Sequence, residues 1–89
     1  MKRAGTHTFI LKDGVWTDVR QAPLGTRTIR IKAYSKAYFD LIDAVPDLRA
    51  IFAIGDRVTA QGRVVTVEVS SNGVEQLAGS EINSLAREW

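Results

Sequence analysis

Few side chains in this sequence belong to the types that perform acid–base or nucleophilic chemistry. The 89 residues include one histidine, His7, and no cysteine. Both kinds of catalysis need a basic group held within hydrogen-bonding distance of its partner, whereas His7 stands between two threonines close to Met1. We expect His7 to be a solvated residue at an edge of the fold. We therefore assign no catalytic residue and no cofactor, and we expect that the protein is not an enzyme.

Carboxylates are the other groups that could bind an ion. Asp40 and Asp43 are three residues apart and Asp47 follows shortly after, a spacing compatible with a weak calcium or magnesium site. Carboxylates at such intervals are more often the solvated side of an amphipathic helix, so we assign no metal ligand. We do not interpret Asp13 and Asp18 as a catalytic pair, because a tight turn accounts for Asp13.

A group of basic residues is the most prominent candidate surface. Arg30 and Lys32 alternate with isoleucines, and Arg27 is close in sequence, so this face could contact phosphates. The net charge is only +2, and charge alone does not favour nucleic acid. A small nucleic-acid-binding domain that uses Arg30 and Lys32 is the alternative hypothesis. A further hypothesis for the same strand is that a partner protein adds a β-strand to the edge formed by residues 26–33.

Exposed aromatic side chains often mark a surface that contacts a partner. Phe39 falls beside the apolar stripe of its predicted helix, Trp89 ends the last helical pattern, and Tyr34 lies between a strand and a helix. The alternative is that Trp89 anchors the last helix and Phe39 fills the edge of the core. The candidate partner-binding residues are Arg27, Arg30, Lys32, Phe39 and Trp89.

The elements that position these residues begin with a hairpin. Two β-rich runs at residues 8–12 and 15–19 are separated by an Asp-Gly dipeptide, which is typical of a two-residue type I′ turn. Such a turn sets the register and places Phe9 opposite Asp18. The residues expected to face the core are Phe9, Leu11 and Trp16.

The middle of the chain predicts a strand followed by two helices. After a turn-rich connection at residues 21–25, residues 26–33 alternate between apolar and polar side chains, as in a half-solvated strand. Ser35 is expected to cap a helix that carries an apolar stripe. Pro46 ends that helix and begins a shorter one over residues 47–54.

The rest of the chain predicts a second hairpin and a last helix. Residues 56–61 and 63–70 are β-rich and joined through Gly62, and Ser80 is expected to cap a helix anchored by Trp89. Strands and helices are segregated along the chain, which favours an α+β fold. We expect a small antiparallel-rich sheet from two hairpins plus one strand, packed by a central helix pair and a C-terminal helix.

Length and composition indicate one domain. With 45% hydrophobic and 25% charged residues, the chain resembles an ordinary small soluble domain over residues 1–89, of which residues 1–5 are expected to be loose. No apolar run approaches the roughly 18 residues needed to span a bilayer, so we expect no membrane insertion. A cysteine-free domain is compatible with either side of a membrane, which leaves the compartment and the oligomeric state open.

Four short segments carry a resemblance to a known family. They are FILKDGVWTD at residues 9–18, SKAYFDL at 35–41, PDL at 46–48 and FAIGDRV at 52–58. In pattern they resemble a small module that follows the A domain in bacterial proteins with VIT and von Willebrand factor A domains. The resemblance runs from Thr8 to about Val69 and includes no catalytic motif.

The resemblance implies an accessory or scaffolding role beside an adhesion-type domain, with any metal chemistry belonging to that neighbour. It also implies an extracytoplasmic location, whereas without it we expect a cytoplasmic one. The chain is then either a module cut from a larger protein or a stand-alone relative. Our leading hypothesis is a non-catalytic accessory or protein-interaction module.

Overall fold

A computed structural model describes residues 1–20 and 26–89, and the connection expected at residues 21–25 lies outside them. The elements, in chain order, are β1 (Lys2–Ala4), β2 (His7–Lys12), β3 (Val15–Asp18), β4 (Arg27–Lys32), α1 (Lys36–Ala44), α2 (Asp47–Phe52), β5 (Val58–Gln61), β6 (Val65–Ser70) and α3 (Gly79–Glu88). No helix in the described part of the chain is long and apolar enough to cross a membrane.

The six strands of the described residues form one mixed sheet in the order β1-β2-β3-β5-β6-β4. The pairs β1–β2, β2–β3 and β5–β6 are antiparallel, while β3–β5 and β4–β6 are parallel. The predicted α+β class and both predicted hairpins are confirmed. The two parallel pairings were not predicted, because they join strands that are distant in sequence and require long crossover connections.

The first hairpin has the predicted register, with Phe9 opposite Asp18. Its turn residues have positive φ, 51° at Asp13 and 81° at Gly14, as a type I′ turn requires. Phe9 is fully buried as expected. The prediction for Leu11 is wrong, since this side chain is 57% exposed next to the turn that ends β2, whereas Trp16 opposite it packs against the buried cluster.

The first residues form an edge strand, which differs from the expectation that residues 1–5 are loose. Ala4 lies opposite His7 and is buried. The ammonium group of Lys2 lies 4.7 Å from the centre of the Trp16 ring, a distance at which a cation is attracted to the face of an indole. These contacts hold β1 against β2 and against Trp16 of β3, and composition alone did not indicate them.

The strand β4 and the helix α1 follow the predicted patterns. Ile31 is buried while Arg30 and Lys32 are exposed, so β4 alternates between the core and solvent. Ser35 is the N-cap of α1, and its hydroxyl accepts a hydrogen bond from the backbone N–H of Tyr38 at 3.3 Å. This cap satisfies a helix N–H group that otherwise has no intrahelical partner.

The two later helices are anchored by few residues. The buried residues of α2 are Leu48, Ile51 and Phe52. The prediction that Ser80 caps α3 is wrong, because α3 already begins at Gly79 with Ala78 as its N-cap. Ser80 therefore has a helical backbone within the first turn, where its side chain does not fill the capping position.

One apolar cluster lies between the helices and one face of the sheet. The largest fully buried side chains are Phe9, Ile31, Leu41, Leu48, Ile51, Val58, Val65, Val67, Val69 and Leu85.

Two glycines allow parts of the chain to approach each other closely. A Cβ atom on Gly62 would lie 2.7 Å from Cε3 of Trp89, and one on Gly73 would lie 2.6 Å from the backbone carbonyl carbon of Ile31. Both positions therefore lack room for a side chain.

We predict that Gly73→Ala destabilises the protein by about 1–3 kcal/mol, because the new methyl group meets backbone atoms that cannot move independently. Gly79→Ala is the matched control, since a Cβ there has no heavy atom within 4 Å, and we expect no loss of stability from it. Urea unfolding of both variants tests this. Equal stability of Gly73→Ala and the unaltered chain would contradict the close approach.

Candidate functional site

The one histidine of the sequence is buried against a carboxylate. His7 is 6% exposed, as is Asp18, and Nδ1 of His7 lies 2.7 Å from Oδ2 of Asp18. Because an ionised carboxylate only accepts hydrogen bonds, the imidazole donates through Nδ1. The expectation that His7 is a solvated edge residue is wrong: β1 pairs with β2 on one side and β3 pairs on the other, so His7 lies inside the sheet rather than at its end.

Asp18 also accepts hydrogen bonds from two backbone N–H groups. The donors are Gln61 N, 3.0 Å from Oδ2, and Arg20 N, 3.0 Å from Oδ1. The side chain of Gln61 continues the network, because its Oε1 accepts from the hydroxyl of Thr66 at 2.6 Å. A buried charge is tolerated only when it is well supplied with donors, and Asp18 has three.

Trp89 covers this buried pair. Its ring lies 5.3 Å from the imidazole of His7 at an interplanar angle of 23°, and Phe9 lies 6.2 Å from the imidazole on the same strand. The backbone carbonyl of Trp89 accepts a hydrogen bond from the N–H of Arg63. Trp89 therefore docks α3 onto the sheet, as in the alternative we gave for it, and is partly buried rather than an exposed anchor.

A histidine oriented by an aspartate is the arrangement of many general bases. A general base must also reach the group whose proton it takes, and within residues 1–20 and 26–89 Asp18 is the only hydrogen-bond partner found for the His7 imidazole. The ring is stacked between aromatic neighbours, with little of it open to substrate. The arrangement supports a structural role for the pair, and it adds no catalytic assignment.

The predicted basic strand holds its charges in ion pairs. Nε of Arg27 lies 2.8 Å from Glu88 and its NH1 atom lies 3.0 Å from Glu81. The hydrogen bond to Glu88, supported by Glu81, raises the pKa of Arg27 above its ordinary value. Arg27 thereby connects β4 to the first and last turns of α3, so its main contacts are within the protein.

Arg30 and Lys32 are also paired with carboxylates. Arg30 lies 2.9 Å from Glu68 and Lys32 lies 2.9 Å from Glu75. The outer side of β4 is occupied at these positions as well, since Lys32 N donates to the carbonyl of Val74 and Val74 N donates to that of Arg30. The ion pairs reduce the positive charge available to phosphates, and the backbone hydrogen bonds leave fewer free groups for a pairing strand.

The carboxylates considered as ligands for a cation do not converge on one position. Among the described residues no group of three or more His, Asp or Glu side chains is placed to hold a metal ion. Asp40 forms an i,i+4 ion pair with Lys36 at 2.7 Å, and Asp43 and Asp47 are exposed.

Exposed aromatic rings gather at the start of α1. Tyr34 is 64% exposed and Phe39 is 52% exposed. Both contact Tyr38, with ring centres 5.3 Å and 5.0 Å away, and Tyr38 stacks on the buried Phe52 at 4.8 Å. Burial, together with the nearby Tyr34, raises the pKa of the Tyr38 phenol. We call the exposed rings of Tyr34 and Phe39 with the Tyr38 beneath them the aromatic surface.

Tyr34 has an uncommon backbone conformation. Its φ is +63°, a region that costs a bulky residue about 1–3 kcal/mol. Ser35 follows immediately and its hydroxyl donates to the carbonyl of Lys32 at 2.7 Å, which closes the turn around Tyr34. The turn therefore presents the Tyr34 ring outward while α1 begins.

A shallow groove of about 370 Å³ adjoins the aromatic surface. One side is the turn between β4 and α1, and the other is the segment after Val74. The residues that line it are Lys32, Ala33, Tyr34, Ser35, Lys36, Glu75 and Gln76. Tyr34 belongs both to this groove and to the aromatic surface, so the two are continuous.

No protein-family model matches this sequence, and comparison with curated proteins and with solved structures finds no significantly similar protein. The resemblance to a module of von Willebrand factor A domain proteins therefore stays a prediction.

The candidate partner-binding residues are not brought together at one place. Lys32 lines the groove with Tyr34, Phe39 contacts Tyr38 and Arg30 pairs with Glu68. Arg27 and Trp89 make contacts that hold α3. Sequence reasoning missed the His7–Asp18 pair, although the predicted register contained a signal for it. Phe9 and Asp18 are opposite each other, and His7 is two residues before Phe9, so all three share the face that meets the core. No local pattern in the sequence predicted that Tyr38 would support the exposed rings.

We predict different effects for two matched substitutions in β4. Arg27→Gln should lower the free energy of unfolding by about 1 kcal/mol, because it removes two linked ion pairs that join β4 to α3, while Arg30→Gln should change it by less than about 0.5 kcal/mol. Chemical denaturation at low and high salt measures both. If the two variants lose equal stability, Arg27 has no special role in holding α3.

Proposed function

We propose that this protein is a non-catalytic accessory module that docks onto a partner protein or a neighbouring domain through its aromatic surface. The observation that carries the proposal is the exposure of Tyr34 and Phe39, both of which pack against the same buried ring, Tyr38. Aromatic residues are enriched among the few side chains that dominate binding energy at protein interfaces. In so small a domain these rings would otherwise be expected to contribute to the core.

The exposed rings are held on a rigid support. Tyr38 packs on Phe52 and is itself buried, so the ring beneath Tyr34 and Phe39 is fixed by the core. Binding through a prearranged surface avoids the entropic cost of ordering side chains at the interface. The positive φ of Tyr34 adds a local cost, and strain of this kind often occurs at binding sites.

The resemblance of the sequence supplies the partner class. The segments that carry it include residues 35–41 and 52–58, which contain Phe39 and lie next to Tyr34. We therefore propose that the partner is a von Willebrand factor A domain of the bacterial type, outside the cytoplasm. Any metal chemistry would belong to that domain.

Nucleic acid is the weaker candidate. It requires several cations along one surface to neutralise successive phosphates, whereas the proposed contact residues are only Arg30 and Lys32, and each has a glutamate at 2.9 Å. The exposed rings of Tyr34 and Phe39 belong to another element, α1 and the turn before it.

The proposal is tested by titrating the chain with an A domain taken from a bacterial protein that also carries a module of this pattern. We predict that the double variant Tyr34→Asn, Phe39→Gln weakens binding at least tenfold, because two aromatic contacts are lost. Asn tolerates positive φ and Gln is compatible with a helix, so the melting temperature should change by only a few degrees. Isothermal titration calorimetry measures the affinity.

Leu11→Gln is the matched control, because Leu11 is as exposed as the two rings but belongs to the hairpin. We expect it to leave the affinity unchanged. Two results would contradict the proposal: no binding of the A domain by the unaltered chain, or equal affinity of the unaltered chain and the double variant.

A further inference from the structure

We infer that the groove beside the aromatic surface selects an acidic partner segment, one in which carboxylate side chains flank an apolar or aromatic residue. This inference rests on the proposed function and specifies the chemistry of the partner. The apolar residue would contact Tyr34, and the carboxylates would lie between Lys32 and Lys36. Both lysines and Tyr34 line the same groove.

The charges that line the groove favour an acidic occupant. Lys32 and Lys36 contribute two positive charges, and Glu75 contributes the one negative charge of the lining. Charge complementarity at the rim of an interface mainly steers encounter and excludes partners of the wrong charge.

The present partners of the two lysines can be exchanged for those of a ligand. Glu75 is 67% exposed at its side chain and its partner Lys32 is 47% exposed, while Lys36 is 65% exposed in its pair with Asp40. Ion pairs of such exposure contribute little to stability because water screens them and the long side chains must be ordered. A partner carboxylate can therefore replace either of them at small cost.

The recognition does not depend on free N–H groups at the start of α1. The N–H of Ala37 donates to the backbone carbonyl of Glu75 at 2.9 Å, and the N–H of Tyr38 donates to the Ser35 hydroxyl. Those donors are already used. The attraction for carboxylates comes from the two lysine side chains, and the apolar contact comes from the Tyr34 ring.

Glu75 opposes the binding of an acidic segment. Its carboxylate lies 2.9 Å from Lys32 Nζ and competes with a partner carboxylate for the same ammonium group. Removal of its charge should free Lys32 and strengthen the binding of an acidic segment. This opposite effect separates charge recognition from simple damage to the groove, because a damaged groove would lose affinity in every variant.

The test uses three synthetic peptides of equal length with a central phenylalanine flanked by aspartates, asparagines or lysines. Binding to the full chain is followed by chemical-shift changes of the groove amides. We expect the aspartate peptide to bind several-fold more tightly than the asparagine peptide, and the lysine peptide to bind most weakly. Lys32→Gln with Lys36→Gln should weaken the aspartate peptide about two- to tenfold, and Glu75→Gln should strengthen it about twofold.

Lys12→Gln is the matched control, since Lys12 is exposed in the first hairpin and does not line the groove; it should leave peptide affinity unchanged. Equal binding of the three peptides, or a loss of affinity in Glu75→Gln, would overturn the inference. If the peptides fail in this way while the A domain still binds through Tyr34 and Phe39, the proposed function stands without it. If the A domain also fails to bind, the proposed function is contradicted as well.

Discussion

The carboxylate of Asp18 is the constraint on which much of this structure depends. It is buried with its charge, and the idealised penalty for this is large unless donors surround it. Its three donors come from separate parts of the chain: the imidazole of His7 in β2, the N–H of Gln61 at the end of β5, and the N–H of Arg20. To satisfy this one group, the hairpin and β5 must be in register. The imidazole then provides the flat surface on which Trp89 holds the end of α3.

The molecule therefore divides its polar and aromatic residues between two uses. The His7–Asp18 pair and the ion pairs of Arg27 hold elements together, which accounts for three of the residues whose types suggested chemistry or phosphate binding. Tyr34 and Phe39 have no such task and stay exposed above the support that Tyr38 and Phe52 provide. The part of the surface left for a partner is consequently aromatic with lysines at its side, and this division is the basis for proposing a docking module.

Local patterns predicted the elements well because they depend on short-range physics. The Asp-Gly turn set the hairpin register, alternation defined β4, and Ser35 capped α1. Long-range features could not be predicted in the same way: the parallel pairing of β4 with β6 and the glutamate partners of Arg27 join residues that are far apart in sequence. The burial of His7 was only partly predictable. The correct register placed it on the same face as Phe9, but its position near the first residue suggested exposure.

We infer that His7 and Asp18 stabilise the fold as a buried pair. A double-mutant cycle with His7→Ala and Asp18→Ala, measured by equilibrium unfolding in urea, tests it most directly. The account predicts that each single variant loses about 2–4 kcal/mol, and that the double variant loses at least 1 kcal/mol less than the sum of the two. Additive losses, or a single variant as stable as the unaltered chain, would contradict it.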